Sequence, residues 1–248
     1  MEIELKENER IDDLELQNLK IIQNKNGFCF GMDSVLLSDF AKQIKHGSKI
    51  VDLGTGTGIL PILLSAKTMN TKIVGVEIQE EVANMATRSV KLNNLQNQLE
   101  IICENIKNLK NKYEQGSFDA IVTNPPYKKK GTGKINEKEA KIISRHEITA
   151  TLHDFIETAK YLLKDQGELY LVHRPERLVD IIAELRSQKL EPKILRLVQP
   201  TIEKAQNLVL IKAVKNAKPF LTVQEPLTVY ELNGEYTKEI LKIYQKEN

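Results

Sequence analysis

Ile50-Val51-Asp52-Leu53 runs without a break into Gly54-Thr55-Gly56-Thr57-Gly58 and on into Ile59-Leu60-Pro61-Ile62-Leu63-Leu64-Ser65-Ala66, and no other stretch constrains the fold as tightly. The first four residues read as a buried strand and the last eight as a helix, with Pro61 tolerated in its first turn. Three glycines at alternate positions let the backbone turn sharply and let a ligand approach where a side chain would intrude. A strand feeding a helix in this way belongs to a sheet covered by helices. The alternation recurs along the chain. Strands are expected at Lys72–Val76, Leu99–Ile102, Phe118–Thr123, Glu168–His173, Lys193–Val198 and Asn207–Val214. Helices are expected at Glu80–Asn93, Leu152–Leu163 (stopping before Gly167) and Arg177–Ser187, with a strand-like Leu227–Tyr230 and a last helix near Tyr236–Tyr244. This order predicts an α/β fold with a doubly wound, mainly parallel sheet finished by an antiparallel pair.

Ahead of the first unit, Leu19–Gln23 reads as a strand and Asn24–Gly27 as a turn, together a small antiparallel cap. Val35–Ala41 has the apolar content of a helix capped by Asp33 or Ser34, and Asp33 would then set the helix's amino end over a ligand. Residues 1–46 are therefore read as a cap with a cofactor-covering helix, and 47–248 as the main domain with a C-terminal extension.

A chain of 248 residues can bury roughly 70–75% of its unfolded surface. With 36 Lys+Arg against 34 Asp+Glu the net charge is +2, so any nucleic-acid contact must use local patches. Cys29 and Cys103 have no CxxC partner and are read as reduced and buried, and His46, His146, His153 and His173 lack metal-ligand spacing and are read as surface or loop residues. No metal is expected. The polar start of the chain and the lack of any long apolar run predict a cytoplasmic protein with no membrane partner.

Two further features define a site. The glycine loop is spaced GxGxG, with Asp52 just before it and Glu77 closing the second strand, where it can accept hydrogen bonds from ribose hydroxyls. Asp52 would repel a pyrophosphate and attract an ammonium, which favours S-adenosylmethionine over NAD. The second feature is Asn124-Pro125-Pro126-Tyr127, which follows the strand Phe118–Thr123. Two successive prolines cannot extend a central strand, so the backbone turns and presents an amide, free carbonyls and a ring at the sheet's carboxyl edge.

The combination of DLGTGTG, Glu77 and NPPY resembles class I methyltransferases acting on exocyclic amino groups. The FxFGMDSVLL stretch (Phe28 to Leu37), the basic loop after NPPY and LVHRPERL (Leu171 to Leu178) resemble more closely the bacterial tRNA(Val) (adenine-37-N6)-methyltransferase family, over nearly the whole chain. The resemblance implies a Rossmann-like seven-stranded sheet, S-adenosylmethionine as cofactor and tRNA as partner. It implies cofactor contacts from Asp33, Asp52, Gly54, Thr55, Gly56, Gly58, Glu77, Ile78, Asn105, Ile106 and Asn124. The wider class commonly has an Asp where Asn105 stands, and Glu104 is the other candidate for the cofactor's adenine edge.

The residues themselves give the chemistry of the turn. The Asn124 side-chain oxygen and the Pro125 carbonyl can accept the two hydrogens of an adenine amine, whose lone pair then points at the methyl group. Pro126 keeps the turn rigid, and Tyr127 can stack on the base. Lys128, Lys129, Lys130 and Lys134, widened by Arg145, His146, Arg174 and Arg177, suit phosphate contacts. DNA adenine, protein glutamine, or RNA binding without catalysis remain the alternatives.

Overall fold

The computed structural model describes residues 4–26, 31–69, 71–127 and 150–246. The chain opens with an antiparallel hairpin, β1 (Glu9–Asp13) and β2 (Lys20–Asn24), followed by α1 (Met32–Phe40). The central body then alternates β3 (Lys49–Leu53), α2 (Ile59–Lys67), β4 (Lys72–Glu77), α3 (Glu80–Leu92), β5 (Leu99–Cys103), a 3-10 helix (Ile106–Asn111) and β6 (Phe118–Thr123). From residue 150 onward come α4 (Leu152–Leu162), β7 (Leu163–His173), α5 (Leu178–Ser187), β8 (Leu190–Gln199) and β9 (Leu208–Lys215). Two-residue strands β10 (Thr222–Val223) and β11 (Leu227–Thr228) and helix α6 (Lys238–Ile243) complete it.

The seven long strands lie in the order β8-β9-β7-β6-β3-β4-β5, and β10 and β11 each pair in parallel with β8. Strands β5, β4, β3, β6 and β7 are all parallel, and β9 runs antiparallel to both β7 and β8. The sheet is thus the mixed, mainly parallel α/β sheet expected. Its order reverses between β3 and β6, which makes the crevice above those two strands the topological switch point where ligands bind in such folds.

Both faces of the sheet are covered. On one face Ile50, Val122, Tyr170 and Val172 pack with Leu36 and Leu37 of α1, Leu60, Leu63 and Leu64 of α2, and Ile240 and Ile243 of α6. On the other, Val51, Leu53 and Ile121 pack with Phe155 and Ile156 of α4 and Ile181 and Leu185 of α5. Alternate residues of one strand serve opposite layers, as strand pleating requires. The hairpin docks on α3: Arg88 reaches both Glu9 carboxylate oxygens at 2.5 and 2.7 Å, and Asn93 both accepts from Lys20 N–H and donates to Lys20 C=O. That nearly buried pair holds the Glu9 carboxyl below the usual carboxylate range, chiefly through the Arg88 hydrogen bond.

Two boundaries near the site differ from the sequence reading. Helix α1 begins at Met32 behind Gly31, which makes no side-chain cap, so Asp33 and Ser34 lie inside the first turn. Strand β7 starts at Leu163, directly after α4, and is bulged between its pairings with Phe118 and Ala120. Gly167 therefore sits within a strand: a Cβ there would lie 2.9 Å from Lys164 O and 3.2 Å from Asp119 O. The carbonyls freed at this junction are met by Lys215, whose buried ammonium donates to Lys160 O at 2.7 Å and Leu163 O at 2.6 Å. Burial pushes its pKa down. At the other end α4 is fixed by a capping box between Thr151 and Asp154.

Candidate active site

Parallel register brings residues far apart in the chain to one edge. Leu53 pairs with Val76 and Thr123, and Thr123 pairs with Leu171. The carboxyl ends of β4, β3, β6 and β7 therefore present Glu77, Gly54, Asn124 and His173 side by side. Thr123 Oγ1 donates to Leu53 O at 2.8 Å, which ties the strand carrying the proline turn to the strand carrying the glycine loop.

The loop has the geometry its glycines permit. Gly54, Gly56 and Gly58 all have positive φ, at 75, 57 and 89°, a region costly for L side chains. Gly54 and Thr55 both donate N–H to Val76 O, at 3.0 and 2.9 Å. Gly56 N–H donates to Glu77 Oε2 at 3.0 Å, and Gln79 N–H donates to Glu77 Oε1 at 2.9 Å, so the buried Glu77 carboxylate is oriented by the loop on one side and the start of α3 on the other. A Cβ on Gly56 would meet no atom within 4 Å, leaving open space over the loop. Gly75, in the middle of β4, has no such room: a Cβ would lie 2.7 Å from Ile101 Cδ1 and 2.9 Å from Thr55 Oγ1.

Asp52 is 1% exposed, and neither carboxylate oxygen has a hydrogen-bond partner among the described residues. Burial raises its pKa to about 7, the adjacent Thr55 hydroxyl opposing the rise and the Glu77 charge adding to it. Thr55 Oγ1 beside it is buried and unpartnered as well. An uncompensated acid under an open glycine loop, with a second carboxylate at the next strand end, suits a ligand carrying both a cation and hydroxyls. These residues therefore fit S-adenosylmethionine.

The adenine-side candidates are occupied locally. Asn105 caps the 3-10 helix, its side chain accepting from Lys107 N–H at 3.0 Å, with Ile106 buried as the first residue of that helix. Glu104 accepts from Asn105 N–H and Asn108 and pairs with Lys112 at 3.4 Å. Ile78 is half-buried just past Glu77, and its carbonyl lies 3.8 Å from Cys103 Sγ. Cys103 is exposed, correcting the expectation that it is buried; it is the last residue of β5, the edge strand of the sheet, while Cys29 lies outside the described residues.

At the proline turn Pro125 is buried, and Asn124, Pro126 and Tyr127 are half-buried. Asp33 bridges the turn to α1. Its Oδ2 accepts from Asn124 Nδ2 at 3.1 Å and from Tyr127 OH at 2.7 Å, so Asp33 reaches the proline turn instead of capping its helix. Tyr127 packs against His173 at 5.0 Å between ring centroids, and the Arg174 guanidinium lies 5.2 Å from the tyrosine ring. Burial, then the Asp33 charge, raises the Tyr127 pKa well above the ordinary phenol value.

His173 corrects the expectation of a surface histidine. It is wholly buried at the end of β7, where its Nδ1 accepts Arg174 N–H at 2.8 Å, and burial lowers its pKa to about 4. The ring is therefore neutral with its proton on Nε2, an atom that has no partner among the described residues. The signal for this was available in the apolar run Leu169–Val172, which continues the core to position 173. Exposed His153, by contrast, pairs with Glu184 at 2.8 Å. Arg174 also donates to Asn207 O, and Arg177 pairs with Asp180, both beyond the same strand end. Lys128, Lys129, Lys130, Lys134, Arg145 and His146 lie outside the described residues.

Among the described residues no group of His, Cys, Asp and Glu could hold a metal ion, and no helix is long and apolar enough to cross a membrane.

The seven-strand order with a glycine loop at its switch point defines an S-adenosylmethionine-dependent class I methyltransferase. The model of the methyltransferase small domain family matches residues 18–185, and the chain belongs to that family. It is 26% identical over 221 residues to a tRNA1(Val) (adenine(37)-N6)-methyltransferase of Shewanella baltica, covering 88% of this chain and 90% of the relative. A Haemophilus influenzae protein of the same name is 26% identical over 90% of this chain and 92% of its own. Among solved structures, a predicted O-methyltransferase from Agrobacterium tumefaciens superposes with a TM-score of 0.71 at 21% identity, covering 87% of this chain and 96% of that one. A tRNA m1G37 methyltransferase of M. jannaschii superposes with a TM-score of 0.60 at 14% identity, covering 85% and 58%. These likenesses carry the fold; they leave the acceptor atom to be argued from the site.

Proposed function

We propose that this methyltransferase modifies the exocyclic N6 of an adenine in tRNA, adenine 37 of a valine tRNA being the substrate that the names of its relatives support, in the cytoplasm. The observation that carries the amine reading is the position of Asn124 on the strand next to the glycine loop, with its side chain held by Asp33 at 3.1 Å. The bound S-adenosylmethionine supplies the methyl group on an electrophilic sulfonium. Asp52 holds the ammonium of the cofactor, Glu77 its ribose, and Gly54, Thr55, Gly56 and Gly58 the backbone approach. Ile78, Asn105 and Ile106 line the adenine end.

The chain's part in transfer is positioning. Asn124 Oδ1 and the Pro125 carbonyl accept the two amine hydrogens, which directs the nitrogen lone pair, while Pro126 holds the backbone still. No strong base is required, because the methylated cation is very acidic and releases its proton readily to solvent as the product leaves. Tyr127, backed by His173 with Arg174 over its ring, forms the surface for the base. Arg174 and Arg177 with Lys128, Lys129, Lys130 and Lys134 contact the phosphates. Residues 1–46 act as the cap and 47–248 as the catalytic domain.

Incubation with labelled cofactor and unmodified tRNA, followed by digestion to nucleosides, tests this directly. N6-methyladenosine is the expected product, and its absence removes the substrate claim. Replacing Asn124 with Ala should lower kcat by about 10²–10³, the usual loss for a preorganised polar contact in the transition state. Full activity in that variant overturns the mechanism.

A further inference from the structure

Asp33 has two oxygens and three donors. Oδ1 accepts from Ser34 N–H at 3.0 Å, and Oδ2 accepts from both Asn124 Nδ2 and Tyr127 OH. Space for this is built into the start of α1: a Cβ at position 31 would lie 2.8 Å from Asp33 Oδ1, so only glycine leaves room there without moving the carboxylate.

An ionised carboxylate can only accept hydrogen bonds. The end of the Asn124 amide turned toward it must therefore be the NH2, which points Oδ1 the other way. Rotating that amide by half a turn would set two oxygens against each other. Tyr127 is held in the same sense, since its strongly raised pKa keeps the phenol neutral and a donor to Asp33. The first and last residues of the proline turn are thus tied to one oxygen on an element about 90 residues earlier in the chain.

We infer that Asp33 is a positioning residue for methyl transfer: it fixes which end of the Asn124 amide faces the acceptor amine and anchors the Tyr127 ring. This role differs from the cofactor contact expected for Asp33, and it rests on Asn124 being the amine acceptor. It also explains why a helix from the N-terminal part of the chain is joined to the proline turn.

Asp33→Asn is the sharpest perturbation because it keeps the shape and removes one acceptor. Whichever way the new amide turns, its NH2 faces either Ser34 N–H or the Asn124 and Tyr127 donors. In the full-length chain, Asp33→Asn and Asp33→Ala should each lower kcat by about 10- to 100-fold, the scale of a small misplacement of a reacting group. The cofactor Kd from calorimetry should stay unchanged. Tyr127→Phe should add little to the loss in Asp33→Ala, since both cut the same link. An unchanged kcat, or a loss carried wholly by cofactor affinity, overturns the inference. A readout independent of substrate is the Asn124 side-chain NH2 resonance in ¹⁵N-labelled protein, which should shift when Asp33 is replaced by Ala; a resonance that stays put also overturns it. If the wild-type chain binds cofactor yet methylates no adenine, the substrate reading fails while the resonance still decides the Asp33 contact.

Discussion

Replacing Asp52 with Asn should make the cofactor-free protein more stable and the cofactor bind less well. The acid is wholly buried with both oxygens unpartnered, and burial raises its pKa from an ordinary 3.8 to about 7. A group whose folded-state pKa lies above its unfolded value binds more protons when folded, so stability falls as pH rises between the two values. Here the window runs from about pH 4 to about pH 7. Above it the penalty is complete, and 3.2 units at about 1.36 kcal/mol each give roughly 4 kcal/mol. The amide resembles the protonated acid and carries no such penalty. Asp52→Asn should therefore match the wild type near pH 4 and exceed it by up to about 4 kcal/mol at pH 8. For a domain of this size that is a rise in Tm of about 8–16 °C. Paired thermal melts of wild type and variant across this range, without cofactor, isolate Asp52 together with its interaction with the neighbouring Glu77 charge. A difference that does not change with pH, or a variant less stable at pH 8, refutes the reasoning. On the proposed reading, calorimetry with S-adenosylmethionine should show the opposite preference, with affinity lower in the variant and falling in the wild type as pH drops below about 7.

Two other substitutions probe the supports of the site. Lys215→Met should cost about 2 kcal/mol in denaturant unfolding, because the Lys160 and Leu163 carbonyls lose a buried donor at the junction of α4 and β7; a neutral result would mean that water replaces the ammonium there. Gly75→Ala should destabilise by about 1–3 kcal/mol and weaken cofactor binding, since the new methyl would press on Ile101 and on Thr55 of the loop; unchanged stability and affinity would show that β4 shifts freely.

The parts of the fold that sequence exposes are those set by local periodicity. Ile50–Leu53 could only be a buried strand, and Gly54, Gly56 and Gly58 could only be a turn, so the switch point was legible. The start of β7 was not. Leu163 to Gln166 carry no alternating pattern, and the strand exists there because a bulge and the Lys215 ammonium from a distant strand accommodate it. The helix cap expected of Asp33 or Ser34 failed for a similar reason. A helix-start acid looks like a cap in any window of sequence, and only the packing of α1 on the sheet brings it against Asn124. His173 and Gly75 belong to the same group, their roles set by neighbours from other strands.

Glu77 and Asp52 show how the site divides stabilising from destabilising interactions. Glu77 receives two backbone N–H bonds, one of them from the glycine loop, so its charge shapes the empty site. Asp52 receives none among the described residues, and its charged form opposes folding at neutral pH. A carboxylate that is already satisfied can orient a neutral hydroxyl but gains little from a cation, whereas an unsatisfied one gains most from a cation and nothing from the fold. On the proposed reading the two acids on adjacent strands serve different ends of one ligand, a pairing that suits a molecule with hydroxyls and an ammonium better than one with a pyrophosphate. The same division recurs at the proline turn. Asp33 accepts from Ser34, Asn124 and Tyr127 and so acts on geometry, and on the proposed mechanism this turns the Asn124 oxygen toward the substrate.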